Sequence, residues 1–394
     1  MPTESNPRGH NNNSSMPSLA NTAMVCPTPP TGSSHPHSPP HDRRSLNRTT
    51  GSGTPTGDQQ NPFACRLEGI RQDLLAKGLS GQASNIVLAA QRTSTQNQYK
   101  SCWSKWVGWC DKQQINPIQP SIAKVVDFLS DLFQAGLQYS TLNTYRSAIS
   151  STIPQVEGCP VGQHPLVCKF MKGVFNSRPP QPKYSGTWDV GLVTKYLEGL
   201  PSDSDLTVSV LTKKCAMLLA LSASKRQSDL RAIDLRFQKC IPEGVSFQLA
   251  VLTKTRTATK SMEFFFPLFP HNKKLCPVTC LDSYVERTSA WRVVGNGPQP
   301  LFLAIQAPHK AVSSATIGRW LKDIMKEAGI DVDTFKAHST RGAASSAARD
   351  RGVSVQDILQ TADWTRETTF NRFYYRPKYS NSFGKAVLNG ESIL

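Results

Sequence analysis

The run Arg178-Pro-Pro-Gln-Pro-Lys183 constrains this chain more than any other feature. Each proline fixes φ and removes a backbone donor, so neither a helix nor a central strand can pass through it. The 394 residues are thereby divided into two stretches that must each bury their own core. A third region precedes them. Residues 1–61 are rich in Pro, Ser, Asn, Thr and Gly with almost no aromatic side chains, and such a composition cannot offset the entropy of ordering. The expected organisation is a disordered tail at 1–61, a helical domain at 62–177, a linker at 178–185, a second domain at 186–380 and a C-terminal tail at 381–394.

Hydrophobic spacing gives the first domain an all-helical reading. Tyr99, Trp103, Trp106 and Cys110 recur at helical spacing and are read as core packing rather than a base-stacking face. Ser121 is expected to cap a helix carrying Ile122, Val125, Leu129, Leu132 and Phe133 and stopping at Gly136. Ser140 is expected to cap another, with Leu142, Tyr145 and Ile149 inward. Beyond the linker, Leu192, Tyr196 and Leu200 suggest a helix, and Val208 to Ala223 a second, apolar one. Ser246–Leu252 and Ser261–Phe266 alternate as strands, with Thr253–Lys260 as a polar hairpin tip between them. Helices resume near Ser314, with Ile317, Leu321, Ile324 and Met325 on one face.

The net charge is +17, which points to a polyanion as partner. Its distribution is informative. Residues 1–60 carry 4 basic and 3 acidic side chains, residues 61–180 carry 12 and 6, and residues 181–394 carry 29 and 19. The excess belongs to the stretches expected to fold, which favours a broad nucleic-acid surface over a basic arm. No apolar run has the length of a membrane span, and the N-terminus lacks a signal-peptide pattern. The ten cysteines do not make paired metal-finger spacings, so they are read as reduced core residues, with no metal and no cofactor expected.

The chemistry-bearing residues come late in the chain. His338 and Arg341 stand three apart at the mouth of a small-residue helix, on one face of it. Ala362-Asp-Trp364 and Phe370-Asn-Arg-Phe-Tyr-Tyr375 follow. Earlier, Arg226 lies in Leu221-Ser-Ala-Ser-Lys-Arg-Gln-Ser-Asp-Leu230, and Lys254 lies at the hairpin tip. Taken singly, each has a plain structural reading. Arg226 is one cation among many, and Trp364 and Tyr374 fit a core as Phe370 and Phe373 do. Their joint order is what carries information.

That order, Arg, Lys, His-x-x-Arg, Trp, Tyr, resembles the catalytic domain of the tyrosine recombinases, the phage-integrase family. The helical domain is similar to the family's core-binding domain, and the resemblance as a whole covers roughly residues 90–380. The spacing near the end is most similar to recombinases of eukaryotic mobile elements such as DIRS-like retrotransposons and Cryptons. The resemblance implies a mainly α fold: a helical core-binding domain plus an α+β catalytic domain with a small antiparallel sheet. It implies Arg226, Lys254, His338, Arg341, Trp364 and Tyr374 as the catalytic set, with Asp229 beside the first arginine. Two departures stand out. Asp363 occupies a place commonly held by Gly. The usual Trp-to-Tyr distance lands on Phe373, which leaves Tyr375 as an alternative to Tyr374, just as Lys260 is an alternative to Lys254.

The residue types suit cleavage of a phosphodiester. Two guanidiniums can neutralise the charge that builds on non-bridging oxygens. A tyrosine supplies the nucleophile, a histidine takes its proton, and a lysine protonates the leaving oxygen. The partners implied are double-stranded DNA and further copies of this chain, in a DNA-bound homo-tetramer, without a membrane. The nucleus is the compartment expected from the DNA substrate. The resemblance also implies that the tail bearing Phe383, Val387, Leu388, Ile393 and Leu394 packs into a neighbouring subunit. A type IB topoisomerase, or a domesticated DNA-binding protein without activity, would share much of this pattern.

Overall fold

The computed structural model describes residues 65–181, 184, 186–249, 251, 263–292, 295–376 and 387–388. The expected N-terminal disorder, the hairpin tip with Lys254 and Lys260, and most of the C-terminal tail lie outside the described residues. Among the described residues, no helix is long and apolar enough to cross a membrane. The chain divides into two compact units between Gln181 and Pro182, inside the proline run.

The first unit comprises α1 (Arg66–Ala76), α2 (Gly81–Ala89), α3 (Thr93–Lys112), α4 (Ile122–Gln134), α5 (Tyr139–Ser150) and α6 (Pro165–Ser177). Its core is built where the aromatic stripe of α3 meets α4 and α5. Trp106 packs edge-on against Phe128, which in turn meets Tyr145. The Trp106 indole is fully buried, and its Nε1 donates to Pro117 O at 3.0 Å, so the polar end of the ring is satisfied. Gly136 ends α4 with φ +89°, a conformation glycine adopts without steric cost. Arg66, also buried, ties three segments together by donating to Thr152 Oγ1, Ser151 Oγ and Gln91 Oε1. One expected cap is displaced. Gln138, not Ser140, is the N-cap of α5, and Ser140 lies in its first turn, where its carbonyl accepts from Thr144. Ser121 does hold the N-cap position of α4, without a side-chain capping bond.

The second unit comprises α7 (Val190–Gly199), α8 (Val208–Ser222), α9 (Gln227–Arg231), α10 (Pro277–Arg287), α11 (Ser314–Glu327), α12 (Ser339–Asp350), α13 (Val355–Thr361) and α14 (Glu367–Phe373). It also holds β1 (Gln238–Ile241), β2 (Gly244–Gln248) and β3 (Glu263–Pro267), paired antiparallel in the order β1-β2-β3. The fold is thus mainly helical with a small antiparallel sheet, as expected. α8 is the central element: Leu211, Cys215, Ala216, Met217, Leu219 and Ala220 are all fully buried, because α10, α11 and α12 pack around it. Such a position requires a largely apolar helix, and its one buried cation, Lys214, is paired with Asp203 at 2.8 Å.

Three sequence-based expectations are corrected here. On α7 the buried face is Val190, Val193 and Leu197, while Leu192 is 46% exposed; the two stripes have the same period, and only the position of the neighbouring helices separates them. β2 does not alternate, since Val245, Ser246 and Phe247 are all buried. It is the middle strand, whereas β3 keeps the alternating pattern. Phe373 is exposed rather than core, with Arg372 over its ring, whereas Phe370 is fully buried.

Candidate functional site

The first arginine is placed by the way α8 ends. Ser224 adopts a left-handed backbone, φ +48°, which breaks the helix, and its hydroxyl donates to Arg341 O at 3.2 Å. The chain then turns into α9 with Arg226 at the N-cap position. The Asp229 carboxylate, buried one turn on, accepts from the Arg226 backbone N–H at 3.1 Å and lies 3.5 Å from its Nη1. Asp229 therefore orients the arginine.

The His-x-x-Arg pair opens α12. His338 is its N-cap residue and Arg341 lies in its first turn. Ser339, between them, accepts from Trp188 Nε1 and donates to Lys336 O, which pins the helix start. Arg341 is 2% exposed. Its Nη2 donates to Ala362 O, while Nε and Nη1 are buried with no hydrogen-bond partner among the described residues. Buried guanidinium donors are seldom left in that state.

The remaining residues come from the turns after α13 and α14. Trp364 lies beneath Arg341, whose guanidinium carbon is 4.5 Å from the indole centre. The Trp364 Nε1 is likewise buried without a partner among the described residues. Tyr374 follows α14 directly. Its ring centre lies 4.3 Å from that of Trp364, 6.1 Å from that of His338 and 5.4 Å from the Arg341 guanidinium carbon. Its carbonyl accepts from Ser346 Oγ on α12 at 3.1 Å, so the backbone is docked as well as the ring. Gly342 lies beside this backbone: a Cβ there would make an ordinary contact, 3.4 Å, with Tyr374 O. Tyr375 turns away and packs on Phe370, with ring centres 5.4 Å apart.

Electrostatics reinforce this picture. Burial, with the charge of Arg226 as the next cause, pulls Arg341 down to about 10; Tyr374, Asp229 and Asp363 act against that. Two cations share one poorly hydrated space, and an anion would relieve both. Five sequence-identified residues, Arg226, His338, Arg341, Trp364 and Tyr374, are thus brought together, while Lys254 lies outside the described residues.

Sequence reasoning missed Lys225. Its ammonium is buried, donates to Asp363 Oδ2 at 2.7 Å and Thr361 O at 2.8 Å, and lies 4.1 Å from the centre of the Phe264 ring. The only signal for it was the aspartate at the place commonly held by glycine.

No protein-family model matches the sequence, and no curated protein matches it in sequence. Solved structures match it in backbone. The XerH site-specific recombinase in a post-cleavage complex with a palindromic difH substrate has a TM-score of 0.56 at 12% identity, over 86% of this chain and 99% of that one. The integrase of transposon Tn1549, in complex with transposon right end DNA, gives 0.51 at 11% identity, over 83% and 99%. XerH in a pre-cleavage complex gives 0.51 at 11%, over 85% and 91%. The fold is that of the tyrosine recombinases. Two departures from the tyrosine recombinase pattern then find a physical account. Asp363 has φ +54°, the left-handed region that explains glycine's use there, and its carboxylate is engaged by Lys225. Phe373, where the usual Trp-to-Tyr distance lands, is exposed, and Tyr374, the next residue, lies against Trp364.

Proposed function

We propose that the chain is a DNA strand transferase of the tyrosine recombinase type, cleaving and rejoining double-stranded DNA through a 3′-phosphotyrosine. One observation carries the reading. Three buried donors without a partner among the described residues, Arg341 Nε and Nη1 and Trp364 Nε1, belong to side chains that pack directly on the Tyr374 ring. Their chemistry is that of a phosphate site, because non-bridging phosphate oxygens are acceptors only and a guanidinium meets them in pairs.

In this reading Arg226 and Arg341 neutralise the scissile phosphate as negative charge builds on it. The Trp364 indole donates to the same group and moves no proton. The Tyr374 hydroxyl attacks phosphorus and its proton passes to His338. The bond from phosphorus to the 5′ oxygen breaks, and Lys254 protonates that oxygen. The products are a 3′-phosphotyrosine and a free 5′ hydroxyl. Because the phosphoester is kept, rejoining needs no nucleotide. The two units are read as a core-binding and a catalytic domain that hold the duplex through phosphate contacts. The working form is a homo-tetramer on DNA, its C-terminal tails packed between subunits. Integration of a mobile element, in the nucleus, is the biological role that best suits the sequence pattern.

The test is covalent trapping on DNA nicked just beyond the cleavage site, so that the short fragment bearing the free 5′ hydroxyl diffuses away and rejoining fails. An adduct mapped by peptide sequencing to Tyr374 is expected. No adduct on any DNA bound by the chain overturns the reading in favour of a binding protein. Adducts with relaxation of supercoils but no exchange between two sites would assign a type IB topoisomerase instead.

A further inference from the structure

We propose that Lys225 and Asp363 are a positioning pair that sets Arg226, Arg341 and Trp364 around the phosphate; this rests on the strand-transfer reading above. Neither side chain touches DNA in this account. Each is the immediate neighbour of a residue that does, Lys225 of Arg226 and Asp363 of Trp364.

The geometry supports a clamp. The two charged groups are 2.7 Å apart with side chains less than a tenth exposed. The Lys225 ammonium also donates to Thr361 O, and Arg341 donates to Ala362 O. The turn from Thr361 to Trp364 is therefore gripped by cations from two separate elements, the loop between α8 and α9 and the first turn of α12. Phe264 of β3 closes the third side of the ammonium. Displacing this turn would move the indole and the support of Arg341 together.

Stability alone does not account for such a pair. Desolvating two charges offsets much of their attraction, and an apolar pair of similar volume commonly serves a core as well or better. Asp363 also holds a left-handed backbone that disfavours a side chain. A carboxylate kept at that place, against both costs, fits a demand for geometry. Buried ion pairs are directional, whereas apolar contacts tolerate sliding.

The test uses the full chain and compares three variants with the unmodified protein: Lys225→Met, Asp363→Asn, and the double variant Lys225→Met/Asp363→Gly. Read out are the rate of adduct formation at saturating protein on nicked DNA, the Kd for that DNA, and the thermal transition. Asp363→Asn keeps the shape and a residue that tolerates φ > 0, so it remains folded. The single variants should form adduct more slowly, by up to about a hundred-fold, with Kd nearly unchanged. The double variant leaves no unpaired buried charge and should recover the thermal transition while its cleavage stays slow. Cleavage that recovers together with the thermal transition would show a merely structural pair and overturn the inference. So would Asp363→Asn cleaving at the unmodified rate. Absence of any adduct from the unmodified protein overturns the strand-transfer reading itself, and this inference with it.

Discussion

Trp364 and Tyr374 lie ring against ring, 4.3 Å between centres and inclined by 32°, and the Arg341 guanidinium packs over both. Tyr375, one residue on, packs instead on Phe370. Two adjacent tyrosines that the sequence left as alternatives therefore have different surroundings: one is among cations and unpartnered donors, the other against an apolar ring.

This difference predicts the outcome of removing each hydroxyl. Tyr374→Phe should abolish the covalent adduct and leave the DNA Kd nearly unchanged, because one oxygen is lost and little surface. Tyr375→Phe should keep the adduct. Gel-shift binding and denaturing electrophoresis of trapped complexes check both, and loss of the adduct only in the second variant would reverse the assignment.

The arginines should separate cleavage from stability. Arg226→Ala should slow cleavage by about a hundred- to a thousand-fold, roughly 3–4 kcal/mol of transition-state stabilisation, with a smaller effect on binding. Arg341→Met should slow it as much or more. In the absence of DNA the same change removes a buried cation with two unpartnered donors. The free protein should then be as stable as the unmodified chain or more so, by about 1 kcal/mol. Thermal unfolding with and without DNA measures this; a strongly destabilised Arg341→Met would mean that the guanidinium serves the fold.

Lys254 can be tested through its proposed partner. If it protonates the leaving oxygen, Lys254→Ala should slow cleavage of ordinary DNA. It should cleave DNA carrying sulfur at the bridging 5′ position at nearly the unmodified rate, since a thiolate departs without a proton. The same behaviour in Lys260→Ala, and not in Lys254→Ala, would transfer the role to Lys260.

Cleavage should persist in excess EDTA. The carboxylates nearest the site are already engaged, Asp229 with Arg226 and Asp363 with Lys225. Among the described residues, no three His, Cys, Asp or Glu side chains cluster as metal ligands do. Loss of cleavage in EDTA, restored by Mg²⁺ or Mn²⁺, would point to a metal-dependent nuclease, which needs acidic ligands to hold its ions.

Binding should fall steeply with salt and survive deletion of residues 1–60, which hold 4 basic and 3 acidic side chains. A protein with many phosphate contacts loses about a thousandfold or more between 50 and 200 mM salt as counterion release is reversed. A truncated chain that no longer binds would contradict the placement of the charge.

The break at the proline run was legible in the sequence by itself, because proline's constraint on the backbone is local and needs no partner. The sequence also showed which face of α3 turns inward, since Tyr99, Trp103, Trp106 and Cys110 recur at helical spacing, although the buried Cys102 and Val107 lie outside that stripe. The spacing of His338 and Arg341 put both at the start of one helix for the same reason. Only the tertiary structure decided the rest. Leu192 and Val193 are both plausible inward residues until α11 and α12 choose between them. Tyr374 is distinguished from Tyr375 by what lies opposite each ring, Trp364 or Phe370. The bond between Lys225 and Asp363 joins positions 138 residues apart, a contact that no local pattern encodes. Period and propensity act over a few residues, whereas burial and charge pairing depend on neighbours that only the folded chain supplies.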